Sequence, residues 1–191
     1  IKNNIIKINS KDKQNIMKKK APIVLILDVD GVMTTGQFIY TEKGKNAKIF
    51  GPDDHDALSI LKDYIQIRFI TGDKKGYKIS KKRIVDHMGF KLDLVNTVSR
   101  VSWIKKNYKL NDVIYMGDGL FDSLVMKKVK YSICPVNGNE ETKKFANYIT
   151  KRSGGDRAVS EACIHIMNKF FKKFSLDDLP KNKVMSGSWK I

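Results

Sequence analysis

Cysteine is nearly absent from this 191-residue chain: only Cys134 and Cys163 occur, both in apolar surroundings and without a metal-type spacing. That excludes a disulfide framework and leaves two buried free thiols in a reducing compartment as the expected state. Histidine is almost as scarce, with three residues, so no Cys/His set is available for a soft metal. No apolar run approaches the roughly 18–20 residues that span a bilayer. Residues 1–20 carry charge without an apolar signal core, so a cytoplasmic location with no membrane partner is expected. Arginine supplies only five of the 37 basic residues. It reads bases and phosphates better than lysine does, so its scarcity argues against a nucleic-acid partner despite a formal charge of +17. There is no internal repeat.

Much of the positive charge lies at the ends. Seven lysines against one aspartate in residues 1–20, and six against two in residues 169–191, hold ten of the seventeen net charges. Residues 1–20 read as a basic flexible arm, 21–174 as one domain, and 175–191 as a basic tail. Hydrophobic residues make up 41% of the chain, enough for one sizeable core. A basic surface of this kind would still attract an anionic substrate.

Within the domain the pattern alternates. Residues 23–27, Ile-Val-Leu-Ile-Leu, form a short unbroken apolar run, as a strand buried on both faces should. Residues 37–40 and 47–50 flank a Gly-containing turn and predict a β-hairpin. Further strands are predicted at 65–70, 92–95, 113–116 and 131–134. Helices are expected from 57 (with Asp54 as cap), at 75–88 closed by Gly89, at 99–108, at 121–129 and at 158–171. Such βαβα alternation predicts a Rossmann-like, doubly wound parallel sheet with a hairpin inserted after the first strand. Ligands of these folds gather at the carboxyl ends of the strands.

Three strand ends carry residues suited to chemistry. Asp28-Val29-Asp30-Gly31 ends the first, and side chains two apart in extended chain face one space. Thr71-Gly72 ends another, offering a hydroxyl and a permissive backbone. Gly117-Asp118-Gly119 ends a third, with Asp122 one helical turn beyond Asp118. Asp and Gly are common in turns, and a single Asp-x-Asp-Gly would mean little. Acidic residues at two strand ends, with Thr-Gly between them, form a hard oxygen-rich set suited to Mg²⁺.

These segments resemble three of the four motifs of the haloacid dehalogenase superfamily. The resemblance implies a phosphatase in which Asp28 attacks phosphorus and forms an aspartyl-phosphate. Asp30 would protonate the leaving alcohol and then activate water, and Thr71, with Gly72 beside it, would bind the transferring phosphoryl group. Asp118 would join Asp28 and the backbone carbonyl of Asp30 around Mg²⁺, with Asp122 in or next to the metal shell. The fourth motif needs a cation. Order and spacing assign it to Arg100, with Lys74, Lys75 and Lys105 as alternatives.

The intervals between motifs leave no room for a cap domain. The chain is similar over residues 21–168 to the phosphatases of 3-deoxy-manno-octulosonate 8-phosphate and their nonulosonate relatives. The hairpin, Lys48-Ile49-Phe50 and Gly154-Gly155 carry that likeness, which implies a homotetramer acting on a phosphorylated keto-sugar acid. Departures fall at expected substrate positions: Asp53-Asp54-His55 replaces Arg-Asp-Gly, Asp73 replaces an arginine, and Arg157 and Ser160 replace a glycine and an arginine. Asp54 and His55 are therefore candidate substrate contacts, with a structural role for His55 as the alternative. Another sugar phosphate or a nucleotide as substrate, and a non-catalytic assembly module of the kind fused to sugar-activating cytidylyltransferases, remain competing readings.

Overall fold

A computed structural model describes residues 21–178. The basic arm expected at 1–20, and all but the first four residues of the expected tail, lie outside them. Strand β1 (Val24–Asp28) is buried along its whole length. It pairs in parallel with β4 (Gln66–Thr71) on one side and β6 (Val113–Met116) on the other. The other strands are β5 (Lys91–Leu94), β7 (Tyr131–Cys134) and the two-residue β8 (Tyr148–Ile149), and the full order is β5-β4-β1-β6-β7-β8, all parallel. The chain thus winds outward from β1 first in one direction and then in the other. That reversal opens a crevice beside the carboxyl end of β1.

Alternation decides which side chain serves which face. Leu25 and Leu27 of β1, Phe69 of β4, and Ile114 and Met116 of β6 enter one core. That core is covered by α1 (Asp54–Leu61) and α6 (Ala158–Ile166). Val24 and Ile26, with Val113 and Tyr115, enter the other, which holds Ile104 of α3 (Arg100–Asn107) and the Val125–Met126 end of α4 (Ser123–Met126). Asp28 continues the even series of β1, so its side chain belongs to the face of Tyr115 and α3.

Strands β2 (Thr34–Thr41) and β3 (Gly44–Phe50) form a separate antiparallel hairpin. It is longer than predicted, because Thr41 pairs directly with Gly44, whose φ of 106° suits only glycine. The predicted helices are shorter as α-helix, and that at 158–171 passes from α6 into a π turn, Met167–Phe171. The helix expected at 75–88 is α2 (Tyr77–Lys81) followed by a π turn, Lys82–His87, and Gly89 closes it at φ 74° as expected. The helix expected at 121–129 begins as a 3₁₀ turn, Leu120–Asp122, because Asp122 is captured by bonds described below. Short α5 (Glu140–Lys143) and β8 carried too few residues for a period to show.

Asp54 corrects a capping expectation. Asp53 takes the cap position of α1 with φ 65°, and Asp54 is the first helical residue. The Asp54 carboxylate instead accepts from the Ser160 N–H at 2.9 Å, capping the start of α6 across the helix pair. Burial raises its pKa to about 6. No described helix is long and apolar enough to cross a membrane.

Candidate active site

Two charged groups meet where the strands end. The first is built on Asp28 and Arg100. The guanidinium, 2% exposed, donates from Nη1 to Asp28 Oδ2 at 2.8 Å and from Nη2 to Asp28 Oδ1 at 3.0 Å. The Val29 N–H donates to Oδ1 at 2.7 Å. Nη1 also reaches Asp122 Oδ1 at 2.5 Å, and the Tyr115 hydroxyl donates to the same oxygen. The other Asp122 oxygen accepts from the Gly119 N–H at 2.9 Å. Asp122 is thus fully engaged in holding the loop after β6 and the arginine.

Asp118 completes the group. Ligand oxygens of Asp28, Asp118 and Asp122 lie within 4.8 Å of one another. Three carboxylates share one guanidinium, and the titration of Asp28 and Asp118 reflects their burial and this unbalanced charge. Burial, reinforced by the Asp28 and Asp122 charges, pushes Asp118 up to about 8. Burial also raises Asp28, to about 6, although Arg100 opposes it. A divalent cation would relieve this repulsion, and an all-oxygen donor set fits Mg²⁺. Gly31 makes the room: its φ is 84°, and a Cβ there would lie 1.9 Å from Asp118 Oδ2. The Gly31 carbonyl is held by Asn137 Nδ2 at 3.2 Å, and Asn137 Oδ1 accepts from the Gly154 N–H at 2.7 Å.

The second group holds Asp30. Its carboxylate turns away from the acidic trio, toward the hairpin, where Lys48 Nζ lies 2.7 and 2.9 Å from its two oxygens. Thr71 Oγ1 is 3.4 Å from Oδ2. The Asp30 side chain is thus engaged with the hairpin, which leaves its backbone carbonyl, the group that the family resemblance assigns to the metal. Lys48 also pairs with Asp73 at 2.9 Å, and Lys45 with Asp73 at 2.5 Å. Burial works against the Asp73 charge, but Lys45, the Gly76 N–H and Lys48 outweigh it and hold the pKa at about 2. Gly72 packs beside Thr97 and the Val95 carbonyl.

The structure thus brings together Asp28, Asp118, Asp122 and Arg100, and beside them Asp30 and Thr71. Lys74, Lys75 and Lys105 make no contact with Asp28, whose cation is Arg100. Two candidates lie elsewhere. Asp54, 1% exposed, faces the N-terminus of α6. His55 is half-buried against the edge of Phe90, and burial lowers its pKa. Its contacts are those of the structural alternative. Lys48, Tyr115 and Asn137 were missed as site residues. Only Lys48 left a trace, as a lysine in the strand before Phe50.

Comparison with known proteins gives the family. A family model described as haloacid dehalogenase-like hydrolase matches residues 38–163, and the chain belongs to that family. It is 29% identical over 160 residues to the 3-deoxy-D-manno-octulosonate 8-phosphate phosphatase KdsC of Salmonella typhi, covering 78% of this chain and 81% of that protein. The phosphatase of the same name from Moraxella catarrhalis, solved with magnesium, phosphate and KDO, is 29% identical. It superposes with a TM-score of 0.66 over 81% of this chain and 91% of that one. The cobalt-bound deoxy-D-mannose-octulosonate 8-phosphate phosphatase of Haemophilus influenzae is 25% identical, with a TM-score of 0.69 over 79% and 90%. The fold without a cap is the one these relatives share, and the chain is a phosphatase of this family.

Proposed function

We propose that this protein is a Mg²⁺-dependent phosphomonoesterase that works through an aspartyl-phosphate on Asp28. The observation that carries the reading is the fork of Arg100 on both oxygens of a buried, strand-end Asp28, next to Asp118. Asp28, Asp118 and the backbone carbonyl of Asp30 would hold the metal, with Asp122 orienting its neighbours. Bound there, Mg²⁺ supplies positive charge against the phosphate and the nucleophile. Arg100 fixes the direction in which Asp28 attacks phosphorus, and the Thr71 hydroxyl and Gly72 backbone bind the transferring group. The P–O bond to the alcohol breaks as Asp30 gives that oxygen a proton. Asp30 then takes a proton from the water that hydrolyses the acyl-phosphate, which frees the Asp28 carboxylate and returns Asp30 to its acid form.

The substrate in this reading is a phosphorylated 3-deoxy keto-sugar acid of eight or nine carbons, supported by the named activity of the relatives. A second reading keeps the chemistry and changes the substrate to another sugar phosphate or a nucleotide. It is favoured by Asp73 and Asp53, acidic residues already engaged with Lys45, Lys48 and Arg157. A homotetramer is supported by the hairpin, which exposes Phe38, Ile39, Tyr40 and Ile49 together. A neighbouring copy over that face would shield a site that no cap covers.

Phosphate release from a panel of sugar phosphates and nucleotides, with Mg²⁺ or chelator, tests the reading. Turnover should need the metal and vanish in Asp28→Asn. Activity of Asp28→Asn above background would overturn the covalent mechanism, and inactivity of the folded wild type on every phosphoester would favour an assembly module.

A further inference from the structure

We infer that Lys48, on the hairpin, is a positioning residue that aims the carboxylate of Asp30 at the leaving group. The inference rests on the proposal that Asp30 is the acid of the first step. The Lys48 side chain has no exposed surface, and a buried ammonium is costly unless each of its three N–H groups finds an acceptor. Here it donates to Asp30 Oδ2 and to Ser80 Oγ, each at 2.9 Å, and forms an ion pair with Asp73 at 2.9 Å. These partners come from three elements: the loop after β1, the loop after β4, and α2. The ammonium is thereby held from three directions.

Asp30 has no comparable anchor of its own. It lies past the end of β1 and before Gly31 at φ 84°, outside the strand ladder. Its other side-chain contact is the Thr71 hydroxyl at 3.4 Å, a long bond. Lys48 is thus the close partner of this carboxyl group: it hydrogen-bonds Oδ2 at 2.9 Å, while Oδ1, 2.7 Å from Nζ, makes no hydrogen bond and is the oxygen left to carry the proton. Removing it leaves a carboxylate that can rotate toward water, and a proton donor displaced by an ångström loses most of its effect.

The consequence is selective. A donor matters when an alkoxide must leave and matters little when a stabilised phenolate leaves. The test compares kcat/KM, which reports the phosphorylation step, for glycerol phosphate and p-nitrophenyl phosphate at saturating Mg²⁺. Lys48→Met should lose about 100-fold on glycerol phosphate and less than about 5-fold on p-nitrophenyl phosphate. The double variant Lys48→Met/Asp73→Asn removes one charge of each sign, which protects the fold, and should show the same split. Equal losses on both substrates in a folded variant would mean that Lys48 only supports the structure, and would overturn the inference. Asp30→Asn measured alongside separates the two claims. A split there without one in the Lys48 variants defeats this inference alone, whereas no split in Asp30→Asn removes the acid role and the inference with it.

Discussion

The two charged groups at the strand ends are neighbours with opposite balances. Around Arg100 three carboxylates face one guanidinium, and Asp28 and Asp118 are held well above the ordinary carboxylate range, chiefly by burial. Around Lys48 two carboxylates face two ammonium groups, and Asp73 is held down at about 2. The first group has a deficit that a cation would fill, and the second is closed upon itself. Similar residue types, a few ångströms apart, thus make a metal-seeking site and a rigid support.

The sharpest way to break this comparison is to remove the one cation of the acidic group. Arg100→Met leaves buried carboxylates uncompensated and should cost about 3–5 kcal/mol in chelator, measured by urea unfolding. Mg²⁺ should recover part of that loss. Lys48→Met/Asp73→Asn, which keeps its group balanced, should cost clearly less.

Metal addition comes next in size. At a Mg²⁺ concentration 100 times its dissociation constant, wild-type stability should rise by about 2.7 kcal/mol. Asp118→Asn should lose most of that gain while Asp73→Asn keeps it. Equal gains in both variants would place the metal elsewhere.

A further difference between the two groups lies in pH. Asp118 is raised from 3.8 to about 8, so its contribution in chelator is fully present below pH 3.8 and is lost as pH rises through 8. The melting temperature of Asp118→Asn relative to wild type should therefore climb between pH 5 and pH 9. Asp73 is lowered to about 2, so its contribution is present above 3.8 and lost as pH falls through 2. The difference between Asp73→Asn and wild type should stay flat over the same window.

The smallest effect belongs to Lys45, whose ammonium pairs with Asp73 and lies 3.3 Å from the Phe38 ring centroid. Lys45→Ala should cost about 1 kcal/mol and leave the Mg²⁺ response unchanged, by thermal melts with and without the metal.

By itself the sequence determined the alternating α/β order, the hairpin after β1, and Asp28, Thr71 and Asp118 at successive strand ends. Those features are local: an apolar run of five residues, a period of two or 3.6, and Asp-Gly where a strand must stop. Helix ends were less legible, because Asp122 answers to Arg100 and Tyr115 and not to its own turn. Asp54 read as a local cap, yet its bond is to Ser160 in another helix, 106 residues away. The grip of Arg100 on Asp28 spans 72 residues and that of Lys48 on Asp30 spans 18. Only the tertiary structure decided which of many lysines is buried, and which carboxylates share a cation. An ion pair depends on distance through space and on the water excluded around it, and neither is written in the spacing along the chain.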